Sequence, residues 1–110
     1  MEIKDAPIYF DRKGVPIPFE EWCRLFSDFS YCSVGLTELG EDRGRVSTLW
    51  FGTMHEDDKT KPVFESIAFI PGTDQEAWTV RYTNEEAAIK GHESMVERAT
   101  QFVESEGKLK

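Results

Sequence analysis

The sequence predicts an α+β fold, in which an antiparallel meander of four or five strands carries a short helix from the N-terminal half and a long C-terminal helix. Short segments rich in β-branched and aromatic residues, such as 46–51, end at turn signals such as Gly52. Two other segments place apolar residues three and four positions apart, which is typical of amphipathic helices. No linker or repeat divides the chain, so residues 1–110 are predicted to form a single domain.

The first predicted helix covers residues 18–28 and follows a short strand at 8–10 and a turn at 11–14. Pro18 suits a first helical turn, because its missing N–H would have no partner there. The helical spacing places four aromatic rings and a thiol on one face: Phe19, Trp22, Cys23, Phe26 and Phe29.

The predicted strands cover residues 31–39, 45–53, 63–70 and 77–82, and both faces of the sheet are partly apolar. In the second strand Leu49 and Phe51 point to one face, while Val46 and Trp50 point to the other. Two arrangements remain open. Either each face is covered by one helix, or both helices share a face and a second subunit covers the other, which would make a homodimer.

The second predicted helix extends from about residue 84 to residue 105, and its apolar positions again step by three and four. Thr83, Asn84, Glu85 and Glu86 match a capping box, in which the Thr83 hydroxyl accepts the third helical N–H and Glu86 reaches back.

The charge of the chain disfavours direct binding to nucleic acid. The formal net charge is -8, and the Lys and Arg residues form no stripe. This charge suits a protein partner with a basic face, including one that itself binds nucleic acid. The apolar runs are far shorter than the roughly 20 residues of a membrane span, and no secretory signal is evident. The expected location is therefore the cytoplasm.

The residue types that usually carry chemistry are few and scattered. Cys23 and Cys32 lie nine positions apart, which does not fit a zinc knuckle, and we expect two reduced thiols. His55 lies in an acidic loop without a second histidine nearby, and His92 lies on the apolar face of the last helix, where a hydrogen-bonded core role is commoner than catalysis. We expect no catalytic constellation, no metal site and no cofactor.

Exposed turns and the sheet edge supply the candidate partner-binding residues. Carboxylates cluster in one turn at Glu41 and Asp42, and in another at Glu56, Asp57 and Asp58. Trp50 and Arg81 add an aromatic and a cationic candidate on the strands, although Arg81 would also suit a simple cross-strand ion pair.

An ordered string of short motifs resembles small accessory proteins of tailed phages and prophages, a group without an established activity. The resemblance spans roughly residues 9–96. It is carried by Glu21-Trp22 through Leu25, by residues 28–31 and 46–52, by Phe64-Glu65-Ser66, by Arg81-Tyr82-Thr83 and by Gly91-His92-Glu93.

This resemblance implies a phage origin rather than a mechanism, and small phage proteins of this type are commonly accessory. We expect a non-enzymatic protein that acts by binding another protein, as an inhibitor of a host factor or of a defence system. Two alternatives remain open. One is a structural or oligomeric component of the virion. The other is small-molecule binding or a minor enzymatic role in a pocket near His55 or His92.

Overall fold

The computed structural model describes residues 9–40, 43–53, 63–70 and 78–109, with side chains described as far as residue 105. It confirms the α+β class. The helices and strands are, in chain order, α1 (Phe19–Phe26), α2 (Phe29–Cys32), β1 (Ser33–Glu38), β2 (Arg45–Trp50), β3 (Phe64–Phe69), β4 (Trp78–Tyr82) and α3 (Glu85–Leu109).

The four strands form one antiparallel meander in the order β1-β2-β3-β4. The two central strands pair in register over their full lengths, so that Val46 lies opposite Ala68 and Trp50 lies opposite Phe64. In the described part of the strand predicted at 8–10, isolated bridges pair Tyr9 with Thr53 and Phe10 with Pro16.

Helix α3 packs against one face of the sheet and contacts all four strands. The side chains beneath it alternate along the strands, as the period of two requires: Val46, Thr48 and Trp50 on β2, and Phe64, Ser66 and Ala68 on β3, all buried. The opposite face carries Leu36 and Phe69, which are exposed, so the predicted apolar character of both faces is confirmed.

The aromatic helix predicted over residues 18–28 ends earlier, at Phe26. The Asp28 carboxylate accepts hydrogen bonds from the backbone N–H groups of Ser30 and Tyr31 and so begins a second, four-residue helix, α2. Phe29 therefore belongs to α2 rather than to the face of α1. No residue of α1 is buried, although Trp22 and Leu25 pack against the core.

The residue that caps the N-terminus of α3 is Asn84, one position later than predicted. The side-chain oxygen of Asn84, rather than the Thr83 hydroxyl, accepts the hydrogen bond, from the backbone N–H of Ala87 at 2.8 Å. Asn is at least as effective as Thr in this position. Among the described helices, none combines the length and the apolar composition that crossing a membrane requires.

Candidate functional site

An open groove lies between α1 and the ends of β2, β3 and β4, with a volume of about 390 Å³. Its lining comes from four separate segments of the chain: Trp22, Phe26, Phe51, Thr53, Phe64, Glu65 and Arg81. Four of these seven side chains are aromatic, and two carry opposite charges. Such a mixture of apolar walls and a few polar groups is typical of a binding site.

The wall that α1 contributes is a row of stacked rings. The centroids of Trp22 and Phe26 lie 4.7 Å apart with an angle of 21° between the rings, and Phe19 continues the row at 6.0 Å from Trp22. The indole N–H of Trp22 donates to the carbonyl oxygen of Phe51 at 2.7 Å, which fixes the indole against the segment after β2. The wall is therefore held in place by the fold.

Three exposed phenylalanines lie on α1, which forms this wall, and on the neighbouring helix α2. The exposed fractions are 54% for Phe19, 44% for Phe26 and 67% for Phe29. The first two lie on α1 and the third lies on α2, which contacts α1. We call these three residues the phenylalanine surface. Because water disfavours large apolar groups on a surface, exposed rings grouped on neighbouring elements indicate a contact site.

The charged lining consists of one cross-strand pair. Glu65 and Arg81 face each other in the register of β3 and β4, and the Nε atom of Arg81 lies 3.5 Å from Oε2 of Glu65. The Glu65 side chain is only 15% exposed, whereas the Arg81 side chain is 49% exposed. The groove therefore holds a largely enclosed carboxylate and a half-exposed cation, joined by a long contact.

The structure places the predicted partner-binding residues in three different situations. Arg81 lines the groove, and the cross-strand pair considered for it from the sequence is present. Trp50 lies in the interior with none of its surface exposed, and its indole N–H donates to the carbonyl oxygen of Phe10 at 3.1 Å. Trp50 is thus a core residue and does not belong to an exposed contact surface.

The acidic turns lie outside the described residues. This holds for Glu41, Asp42, Glu56, Asp57 and Asp58, and also for His55. Their predicted roles stay predictions.

His92 joins a polar chain between α3 and the sheet. Its Nδ1 atom lies 2.6 Å from the Thr48 hydroxyl, and its Nε2 atom lies 2.9 Å from the Thr37 hydroxyl. The chain continues from Thr48 to the hydroxyl of Ser66 at 2.5 Å. Burial lowers the pKa of His92 below its ordinary value, and the charge of Glu93 opposes this shift.

The ring of His92 approaches β1 closely. A Cβ atom built on Gly35 would lie 3.0 Å from Nε2 of His92, so the glycine leaves room for the imidazole. The hydroxyls of Thr48 and Ser66 are fully buried, which keeps them away from any substrate in solution. The arrangement supports a structural role for His92, with side-chain hydroxyls as its partners.

Cys23 lies within α1, and Cys32 is the last residue of α2. Cys32 is buried, its thiol lies 3.5 Å from the Phe26 carbonyl oxygen, and burial raises the pKa of that thiol. A raised pKa keeps the sulfur protonated and unreactive. The described residues contain no group of three or more His, Cys, Asp or Glu side chains placed to bind a metal ion.

Comparison of the chain with protein-family models, with curated proteins and with solved structures gives no match. The function is therefore argued from the chain's own residues.

Sequence reasoning missed the groove for a physical reason. Glu65 carries no local signal, because a single carboxylate in a strand reads as a solvated position. The spacing of Phe19 and Phe26 predicted that they share a helix face, but it does not show whether that face is buried or exposed. Only the pairing of β3 with β4 and the position of α1 bring these groups together.

Proposed function

We propose that the chain is a non-enzymatic, phage-type accessory protein that acts by binding another protein, as an inhibitor of a host factor or of a defence system. The observation that carries this proposal is the phenylalanine surface beside the groove. Three rings that each expose more than two fifths of their area lie on two contacting helices, next to a preformed concave site. Burial of such rings against a partner contributes about 25 cal/mol per Å² of apolar area.

The charge of the chain supports a partner with a basic face. The net charge is -8, so the long-range field attracts cationic surfaces and repels phosphate backbones. Complementary charge accelerates encounter and makes the association rate sensitive to salt. In this proposal the exposed phenylalanine rings contribute most of the affinity, and the carboxylates increase the association rate.

Affinity capture tests the proposal. The tagged full chain is incubated with host-cell lysate at about 50 mM and about 300 mM salt, and bound proteins are identified by mass spectrometry. We expect one stoichiometric partner whose capture weakens at the higher salt. Charge reversal at Glu41, Asp42, Glu56, Asp57 and Asp58 is expected to weaken capture in the same way. The absence of any stoichiometric partner at both salt concentrations would contradict the proposal.

A second candidate is an oligomeric component of the virion, and the sheet face opposite α3 favours it. Leu36 and Phe69 are exposed there, and Arg45 lies over the Phe69 ring at 4.8 Å from its centroid. A second copy of the chain packed on this face would bury them. Mass spectrometry of purified particles separates the candidates, because a virion component is present in particles and an inhibitor acting inside the cell is absent from them.

A further inference from the structure

We propose that an extended segment of the partner protein binds along β4 and adds a strand to the edge of the sheet. One apolar side chain of this segment enters a pocket between β4 and α3, and one carboxylate pairs with Arg98. This inference rests on the proposed function, because it names the segment that the partner supplies. The pocket shares no lining residue with the groove beside α1.

Strand β4 is an edge strand without the usual protection against pairing. Among the described residues it pairs with β3 alone. Proteins commonly protect such edges with proline, lysine or a β-bulge. Strand β4 contains no proline or lysine, its register with β3 is regular, and its one charged residue, Arg81, is paired with Glu65. The other edge strand, β1, has a register shift between Ser33 and Gly35, so β4 is the better acceptor of a new strand.

A pocket of about 200 Å³ lies beside this edge. Two residues of β4 and four of α3 line it: Val80, Tyr82, Gly91, Ser94, Met95 and Arg98. Val80 lies opposite buried Ser66 in the register of β3 and β4, so its side chain is on the α3 face of the sheet. In a strand added beside β4, every second side chain points to the same face. Val80 is 41% exposed, and an apolar side chain placed beside it removes apolar surface from water.

Arg98 gives the pocket a positive charge. Its guanidinium carbon lies 4.2 Å from the centroid of the Trp78 ring. Stacking of this kind occupies a face of the guanidinium and leaves N–H groups at its edge for a carboxylate. No carboxylate of the described residues forms an ion pair with Arg98. A partner that is basic overall can still supply one carboxylate here, because this pair forms only at contact distance.

Other occupants fit this edge less well. A second copy of the chain paired through β4 would bring no carboxylate to Arg98 from that strand, because β4 contains no acidic residue. It would also bring together two chains with a net charge of -8 each. A small apolar ligand would leave both the edge of β4 and the guanidinium unpaired. An extended segment with an apolar residue and a carboxylate satisfies all three groups.

A peptide titration tests strand addition directly. The probe is the blocked peptide acetyl-Val-Thr-Leu-Thr-Glu-amide, which in antiparallel pairing places its leucine opposite Val80 and its glutamate opposite Trp78. It is added to the ¹⁵N-labelled full chain and followed by NMR. We expect saturable shifts at the backbone N–H signals of Val80 and Ser94, and none at the indole N–H of Trp22, which lies at the other groove. The same peptide with glutamine in place of glutamate should bind about threefold more weakly.

Backbone methylation distinguishes strand addition from a side-chain contact. In an antiparallel pair, alternate residues of the peptide direct their N–H groups to the neighbouring strand. One peptide is N-methylated at its leucine and another at the threonine before it. We expect one of the two to lose binding and the other to keep it.

Two variants separate the contributions of the pocket and of the charge. Ser94→Leu fills the pocket from an exposed position of α3, and we expect it to weaken peptide binding about fivefold. Ser105→Leu is the matched control, because the same substitution lies at the far end of α3, outside the pocket, and we expect no change. In Arg98→Gln, the glutamate and glutamine peptides should bind equally. Backbone N–H spectra recorded without peptide show that each variant is folded.

Four results would overturn the proposal. The first is the absence of saturable peptide binding, and the second is equal binding by both N-methylated peptides. The third is a preference for the glutamate peptide that persists in Arg98→Gln. The fourth is a dimer, measured by sedimentation, that Val80→Lys dissociates, because it would assign this edge to a second copy.

The peptide and the lysate partner distinguish this proposal from the proposed function. If the peptide does not bind, and Ser94→Leu and the wild type capture the same lysate partner equally well, the strand addition is wrong and the proposed function stands. If the peptide binds as expected but no partner is captured, the proposed function is wrong and the peptide site at β4 stands.

Discussion

The Nδ1 atom of His92 on α3 lies 2.6 Å from the hydroxyl oxygen of Thr48 on β2. This contact joins the long helix to a central strand inside the core, between one cluster built around Trp50 and Phe64 and another built around Val46 and Met95. A polar link at such a place fixes how the helix lies on the sheet, because a shifted helix would leave buried hydroxyls unpaired.

The stability of the protein is expected to fall below about pH 6.5 because of His92. Burial lowers its pKa in the folded state, so the unfolded chain takes up the proton first as the pH falls. The contribution of the neutral ring is complete above pH 6.5 and is lost as the pH falls from there towards the lowered pKa. Urea unfolding at about pH 7.5 and about pH 5.5 measures this loss.

His92→Gln provides the control for that measurement, because all other titrating groups are shared. The free energy of unfolding should depend less on pH in the variant than in the wild type. An equal dependence in both proteins would show that His92 does not contribute to it.

Gly91 on α3 makes room for the ring of Tyr82 on β4, because a Cβ atom built on the glycine would overlap the Tyr82 ring. Gly91→Ala gains about 1 kcal/mol of helix propensity, but overpacking of this kind costs about 1–3 kcal/mol. We expect a net loss of about 1 kcal/mol in the free energy of unfolding, measured by urea titration.

Gly91→Ala should raise the free energy of unfolding, instead of lowering it, when the Tyr82 ring is absent. In a Tyr82→Val background, Gly91→Ala is expected to stabilise the protein by up to about 1 kcal/mol. Destabilisation of the same size in both backgrounds would refute the proposed contact between Gly91 and Tyr82.

Arg12 ties the N-terminal turn to two helices. Its guanidinium donates to Glu85 Oε2 at 2.6 Å and to the Tyr31 carbonyl oxygen at 2.9 Å. We expect Arg12→Gln to lower the free energy of unfolding by about 1–2 kcal/mol and Glu85→Gln by less, because the glutamate makes only one of these contacts. Urea titration of the wild type and the two variants measures these losses.

Arg24→Gln is the matched control for Arg12→Gln, since the Arg24–Glu21 ion pair is exposed to solvent. It should change the free energy of unfolding far less than Arg12→Gln does. A loss in Arg24→Gln as large as that in Arg12→Gln would remove the special role given to Arg12.

Trp50 is expected to matter for stability and not for partner binding. Trp50→Phe removes the hydrogen bond to the Phe10 carbonyl oxygen and part of a buried side chain, at a cost of about 1–3 kcal/mol. Affinity capture at a temperature where the variant is folded should equal that of the wild type. A folded variant that fails to capture the partner would contradict this prediction and show that partner binding depends on Trp50.

The sheet was predictable because turn residues separate its β-branched and aromatic segments, and the long helix was predictable because its apolar positions step by three and four. The face that α3 covers, which carries Val46, Thr48 and Trp50, was not predictable, because both faces of the sheet are partly apolar. Helix α2 was missed because four residues are too few to show a helical period. Asp28 followed by Ser30 was the available signal, since an aspartate cap needs only two or three residues of chain.

The groove depends on contacts that sequence spacing cannot show. Helix α2 and strands β1 and β2 lie between Trp22 and Glu65 in the chain. Only the packing of α1 at the end of the sheet brings the two residues to the same groove. The spacing of Phe19 and Phe26 predicted that they share a helix face, but it was tertiary structure that left them exposed.

Capture by variants of the phenylalanine surface tests the account most directly. The wild type, a triple variant with Phe19→Ser, Phe26→Ser and Phe29→Ser, and the control Ile89→Ser are compared in one lysate, with folding checked by circular dichroism. Ile89 is an exposed apolar residue on α3 and serves as the match. We predict that the wild type and the control retain one stoichiometric partner and that the triple variant loses it. Equal capture by a folded triple variant, or no stoichiometric partner for the wild type, would contradict the account.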